Sequence, residues 1–323
     1  MEIREMVADI KTRMVAVGGL KNVYFIGCGG SRAAIFPGKY LLASKAKNFG
    51  VALYTSNEFV HATPDALDDR CVCVVCSLKA TPETVEALKV ANARGALTIA
   101  MTGSPDTLMA KNGKYAVIYS NGDDQTYSKA NQAMSLRIGF EMLQQFEGYR
   151  DYARAMEAFD RIDEIVARAK QQIRPLGEEF ARKYQDENVF YVIASGPNYG
   201  AAYSMAACHL MEMQWKHAVV VHSGEYFHGP FETTDRNLPI VLLMAEGRTR
   251  FLDERCLRFL KKYAMKVTVV DLKTIGLDAI DDSVVEFFNP VVMLPLERYI
   301  VSIMSERRNH PMTQRRYMWK VPY

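Results

Sequence analysis

Nine residues, His222-Ser-Gly-Glu-Tyr-Phe-His-Gly-Pro230, hold two histidines, a carboxylate and a tyrosine just after the apolar run Ala218-Val-Val-Val221. Proton carriers packed this densely in a loop behind a strand fit general acid–base chemistry, since a loop on a rigid support presents them to a ligand. Zinc is the rival reading. His222 and His228 are separated by a stretch that contains Glu225, a spacing that matches no helical metal motif, and no third soft ligand is near. No metal is therefore expected. Upstream, on a helix expected to start near Asn198, Glu212 falls on one face with Met205, Cys208 and Trp215 at helical spacing. A carboxylate on an apolar face is either paired in a structural contact or kept with a raised pKa for proton transfer. His209 and His217 lie on or just after that helix and read as satisfied by ordinary hydrogen bonds. No Gly-x-Ser-x-Gly element or Cys/His dyad argues for a hydrolytic nucleophile.

Two further loops could hold an anion. Gly27-Cys-Gly-Gly-Ser31, with Gly29 and Ser31, joins a strand to a helix start, where free N–H groups favour negative charge. A dinucleotide fingerprint would need glycine where Arg32 stands and an acid at the end of the next strand, so no nucleotide cofactor is expected. A tight turn with no ligand accounts for that cluster equally well. Ser77-Leu-Lys-Ala-Thr81 follows another apolar strand and offers Ser77, Lys79 and Thr81 ahead of Pro82, a residue suited to a first helical turn. Thr81 acting as an N-cap would explain much of this loop without a ligand.

The elements that must position these residues form a repeated pattern. Asn22–Ile26 and Asn188–Ile193 are strands, each followed by a small-residue turn and a helix start. Further strands are read at 51–54, 72–75, 97–100 and 116–119, then at 218–222, 240–244, 267–271 and 292–294. Helical stretches separate most of them, the signature of parallel sheets covered by helices. The expected division is a first domain at 1–150, a connecting helical segment at 151–184 and a second domain at 185–323.

The 323 residues are enough for two such domains, and a 49% hydrophobic share supplies their cores. A formal charge of +3 is too balanced for a nucleic-acid protein. No stretch approaches the roughly 20 apolar residues of a membrane span. The N-terminus reads as an amphipathic helix, not a signal peptide, so a cytoplasmic protein with reduced thiols is expected. Cys71 and Cys73 fall on one face of a strand and Cys76 on the other, which suits core thiols better than metal ligands.

Several stretches together resemble the sugar isomerase (SIS) domain family, and within it the bacterial fructosamine-6-phosphate deglycases. They are Tyr24-Phe-Ile-Gly-Cys-Gly-Gly-Ser31, Ser56-Asn-Glu-Phe59, Thr81-Pro-Glu-Thr84, Leu210-Met-Glu-Met-Gln-Trp215, His222–Glu232 and the tail Arg307–Tyr323 with Arg315-Arg-Tyr-Met-Trp-Lys-Val. The resemblance implies an α/β fold of two tandem doubly wound, flavodoxin-like parallel sheets with helices on both faces. It implies cleavage of a fructosamine 6-phosphate, such as fructoselysine 6-phosphate, to glucose 6-phosphate and free amine. An aldose–ketose phosphosugar isomerase and a non-catalytic sugar-phosphate sensor are the alternatives. Glu212 matches the acid that moves a proton between sugar carbons, and His228 matches the histidine that assists ring opening and often reaches a neighbouring subunit. Gly29, Ser31, Ser77, Lys79 and Thr81 on the two loops, with Glu225 beside His228, are the expected substrate- or phosphate-binding residues, and Lys320 is the nearest counterpart of a lysine close to the C-terminus that contributes in glucosamine-6-phosphate synthase. The resemblance implies no cofactor and a homodimer or higher homo-oligomer with shared active sites. One departure stands out. The family loop Ser-x-Ser-Gly-x-Thr is here Ser77-Leu-Lys-Ala-Thr81, one residue shorter, with Lys79 able to supply charge in place of the missing donors.

Overall fold

The computed structural model describes residues 1–120, 122 and 124–322; Tyr323, the last residue of the tail singled out above, lies outside them. The chain divides into two compact units, Met1–Asp163 and Glu164–Tyr323.

The first unit contains β1 (Asn22–Ile26), β2 (Gly50–Tyr54), β3 (Cys71–Cys76), β4 (Leu97–Thr102) and β5 (Tyr115–Ile118). They form one parallel sheet in the order β2-β1-β3-β4-β5, the doubly wound flavodoxin-like arrangement. Its helices are α1 (Ile3–Ala16), α2 (Gly29–Lys45), α3 (Ser56–His61), α4 (Pro82–Ala93), α5 (Leu108–Asn112) and α6 (Asn131–Glu147). Of these, α1, α2 and α6 pack together, as do α3, α4 and α5. Every residue of β3 is buried, which explains its unbroken apolar run: a central parallel strand is covered on both faces. Cys71, Cys73 and Val75 join Tyr24, Phe59 and Leu88 in one core cluster. Cys76 faces the other way, towards Tyr119.

The helix α7 (Tyr152–Tyr184) occupies the segment expected as a connection, and the division between the units falls within it. Phe159 packs on Phe140 of the first unit, and Phe180 packs on Phe190 of the second.

The second unit contains β6 (Val189–Ala194), β7 (His217–His222), β8 (Ile240–Met244) and β9 (Val267–Asp271), all parallel, in the order β7-β6-β8-β9. A short helix α8 (Tyr199–Tyr203) runs directly into a π-helix, Ser204–Met213. The remaining helices are α9 (Arg250–Tyr263) and α10 (Val285–Arg307). The core on the α9 side gathers Ile193, Val221, Ile240, Leu242, Met244, Cys256 and Leu260.

One expected strand is absent. Val292-Met-Leu294 lies in the middle of α10, most of whose residues are buried. A short apolar run buried all round reads alike as strand or helix, and Pro290 and Pro295 on either side argue against a helix on local grounds. The structure compensates for the first of them. Pro290 cannot donate to the Glu286 carbonyl, and the Asn289 side-chain amide does so instead at 2.9 Å. By length and composition α10 also matches a membrane span, contrary to the expectation for the sequence, but most of its apolar window is buried in the protein.

Candidate active site

In the first unit, the order of the sheet reverses between β1 and β3, so the crevice beyond their carboxyl ends is where such a fold takes a ligand. Both anion loops open there. Gly29 begins α2 in the left-handed region, with φ of +53°, and Ser31 lies in the first turn. The loops touch: a Cβ at Gly27 would lie 3.3 Å from the Cys76 carbonyl. In the second loop, the buried Ser77 Oγ accepts from the Thr81 amide at 3.0 Å. Lys79 is exposed at the loop tip. Thr81 occupies the N-cap position of α4, but its hydroxyl makes no cap bond and meets Thr84 Oγ1 at 3.0 Å instead, which in turn meets Ser56 Oγ at 2.8 Å. The shortened loop turns through Ala80 at φ of +56°, a conformation that glycine adopts without penalty. Gly29, Ser31, Ser77, Lys79 and Thr81 thus lie on two adjacent loops at the carboxyl ends of β1 and β3.

In the second unit, Glu212 lies in the last turn of the π-helix. Hydrogen bonding from i to i+5 widens each turn, so the α-helical spacing that put Trp215 on its face does not hold. Trp215 instead lies just beyond the helix at φ of +56°, where its ring meets His310 (4.5 Å) and the Arg316 guanidinium (4.3 Å). Of the two possibilities for Glu212, the structure shows a pair. Its Oε1 lies 2.7 Å from Arg315 Nη2, with the glutamate side chain 23% exposed and the arginine 9%. Lys320 closes the same tail by donating to the Arg315 carbonyl at 2.6 Å. Beside Glu212, burial pushes the Cys208 thiol up to about 12, and Glu212 and Glu297 add to the effect, so this cysteine is inert at neutral pH.

The loop after β7 is anchored by aromatics. Tyr226 is fully buried, its hydroxyl 2.6 Å from Thr234 Oγ1, among Phe227, Phe231 and Phe259. That anchorage leaves Glu225 and His228 exposed, with the His228 amide bonded to the Glu225 carbonyl at 2.8 Å. His222 points elsewhere: its Nδ1 accepts from the Gly224 amide at 3.0 Å and its ring packs on Tyr199. No hydrogen bond or ion pair joins Glu212 to His228 among the described residues.

Sequence reasoning missed two residues here. Asp253 is buried and accepts from Ser223 Oγ at 2.6 Å and the Ala245 amide at 3.1 Å, so it ties the loops after β7 and β8 together, and burial raises its pKa. Arg315 carried a faint signal, the basic and aromatic cluster of the tail, but nothing local pairs it with Glu212.

Comparison with known proteins identifies the fold and the family. The family model of the SIS domain matches residues 20–142. A solved phosphosugar-isomerase-like chain from Bacillus subtilis superposes with a TM-score of 0.95 at 38% identity, covering 99% of this chain and 97% of that one. The family match and the fold therefore define a SIS-domain protein. Fructosamine deglycase FrlB of Bacillus subtilis (strain 168) is 39% identical over 100% of this chain and 97% of its own length. Fructoselysine 6-phosphate deglycase of Escherichia coli (strain K12) is 24% identical over 92% of this chain and 85% of its own. The chain belongs to the SIS-domain fructosamine deglycase family and is an enzyme of that type.

Proposed function

We propose that the chain cleaves a fructosamine 6-phosphate, such as fructoselysine 6-phosphate, to glucose 6-phosphate and a free amine. The observation that carries the mechanism is Glu212, a half-buried carboxylate held at a helix end by a cation. His228 assists opening of the sugar ring. Glu212 removes a proton from C1 of the open ketoamine, giving an enaminol, and returns it at C2, giving an imine at C1. Water adds across the C1=N bond, and collapse of the adduct releases the amine and leaves the aldose phosphate. The loops at the carboxyl ends of β1 and β3 support binding of a phosphate through Ser31, Ser77, Thr81 and Lys79. The exposure of His228 supports a homo-oligomer in which one copy's loop serves another's site.

The test is incubation with fructoselysine 6-phosphate and, separately, fructose 6-phosphate. Stoichiometric lysine and glucose 6-phosphate from the first are expected. Interconversion of the second without any amine release from the first would replace this reading with an isomerase. Thermal stabilisation by both compounds with no product would replace it with a sensor.

A further inference from the structure

We infer that Arg315 is a positioning residue that aims the Glu212 carboxylate; the inference rests on the reading of Glu212 as the base. Three observations carry it. The guanidinium is nine-tenths buried and lies 2.7 Å from Glu212 Oε1. Its own tail holds it in place: Arg315 Nη1 donates to the carbonyls of Met312 and Gln314, each at 2.8 Å, and Lys320 bonds back to the Arg315 carbonyl. The tail in turn is fastened to the end of the π-helix. Arg308 Nη1 donates to the Gln214 carbonyl at 2.9 Å and to its side-chain oxygen at 2.7 Å, and Gln214 Nε2 donates to the His310 carbonyl at 2.9 Å. Both members of the ion pair are thus fixed before any substrate arrives, and a preorganised cation is worth more than a mobile one.

The experiment compares kcat and KM of Arg315→Lys and Arg315→Gln with a fructosamine 6-phosphate. Both variants lose the guanidinium fork, and only Arg315→Lys keeps a cation for Glu212. The kcat of Arg315→Gln is expected to fall about tenfold or more at nearly unchanged KM, since misplacing a reacting group by about 1 Å costs up to about 10²-fold, and Arg315→Lys is expected to recover part of that loss. If Arg315→Gln does not fold, Arg315→Met takes its place in the same comparison. Unchanged kcat in Arg315→Gln, with Glu212→Gln inactive, would overturn the role of Arg315 and leave the base intact. A fully active Glu212→Gln would instead overturn the assignment of the base.

Discussion

His209 Nδ1 lies 2.6 Å from Glu297 Oε2, with the glutamate side chain wholly buried and the histidine 8% exposed. The pair joins the π-helix to α10, directly behind the turn that carries Glu212. Burial raises the pKa of Glu297, and contact with His209 opposes that shift. A buried polar pair costs little while intact and much when one member is removed, because the other is left without a partner. Glu297→Ala is expected to destabilise the protein by about 3–5 kcal/mol in chemical denaturation. The double variant His209→Leu with Glu297→Leu is expected to recover most of that loss. A single variant within about 1 kcal/mol of the parent would show that the pair does not brace the helix.

His228 is exposed on an anchored loop, so its replacement separates chemistry from folding. His228→Asn is expected to lower turnover by about 10²–10⁴-fold, as loss of an acid–base group does, and to change stability by no more than about 0.5 kcal/mol. Steady-state kinetics and a denaturation curve on one preparation decide it. Unchanged turnover would remove His228 from the mechanism.

Ala80 turns the shortened anion loop in a conformation that costs an L-residue about 1–2 kcal/mol. Glycine avoids that cost but loses more chain entropy on folding, so Ala80→Gly is expected to stabilise by about 0.5–1 kcal/mol. A higher denaturant midpoint at unchanged slope would confirm it, and a lower midpoint would contradict the left-handed turn.

Arg250 grips Asp271 at 2.8 and 2.7 Å, with the side chains 18% and 20% exposed. Burial pushes the Asp271 pKa up, but Arg250 and the Lys273 amide more than offset it, and the net pKa falls below 3.8. A carboxyl with a depressed pKa in the fold adds stability above its unfolded value and loses it as pH falls through the folded value. Arg250→Met is therefore expected to cost about 2 kcal/mol at pH 7. The gap between parent and variant should close as pH falls below 3.8. A gap independent of pH would assign the cost to packing.

The two α/β units and the turns after β1 and β3 were legible because glycine, serine and threonine after apolar strands mark strand-to-helix turns. Other features were not. The π-helix leaves no periodicity of its own, so Trp215 was assigned to the wrong face. In α10 two prolines suggested an interruption that Asn289 repairs from within the helix. The pairs Arg315–Glu212, Asp253–Ser223 and Glu297–His209 join residues far apart in the chain, and no local pattern announces them.

The most direct test of the mechanism is Glu212→Gln, which keeps the shape of the side chain and removes the base. Turnover of a fructosamine 6-phosphate, followed by amine release, is predicted to fall about 10²–10⁴-fold with the fold intact. Turnover within about tenfold of the parent would contradict the account, because loss of a general base costs more than that.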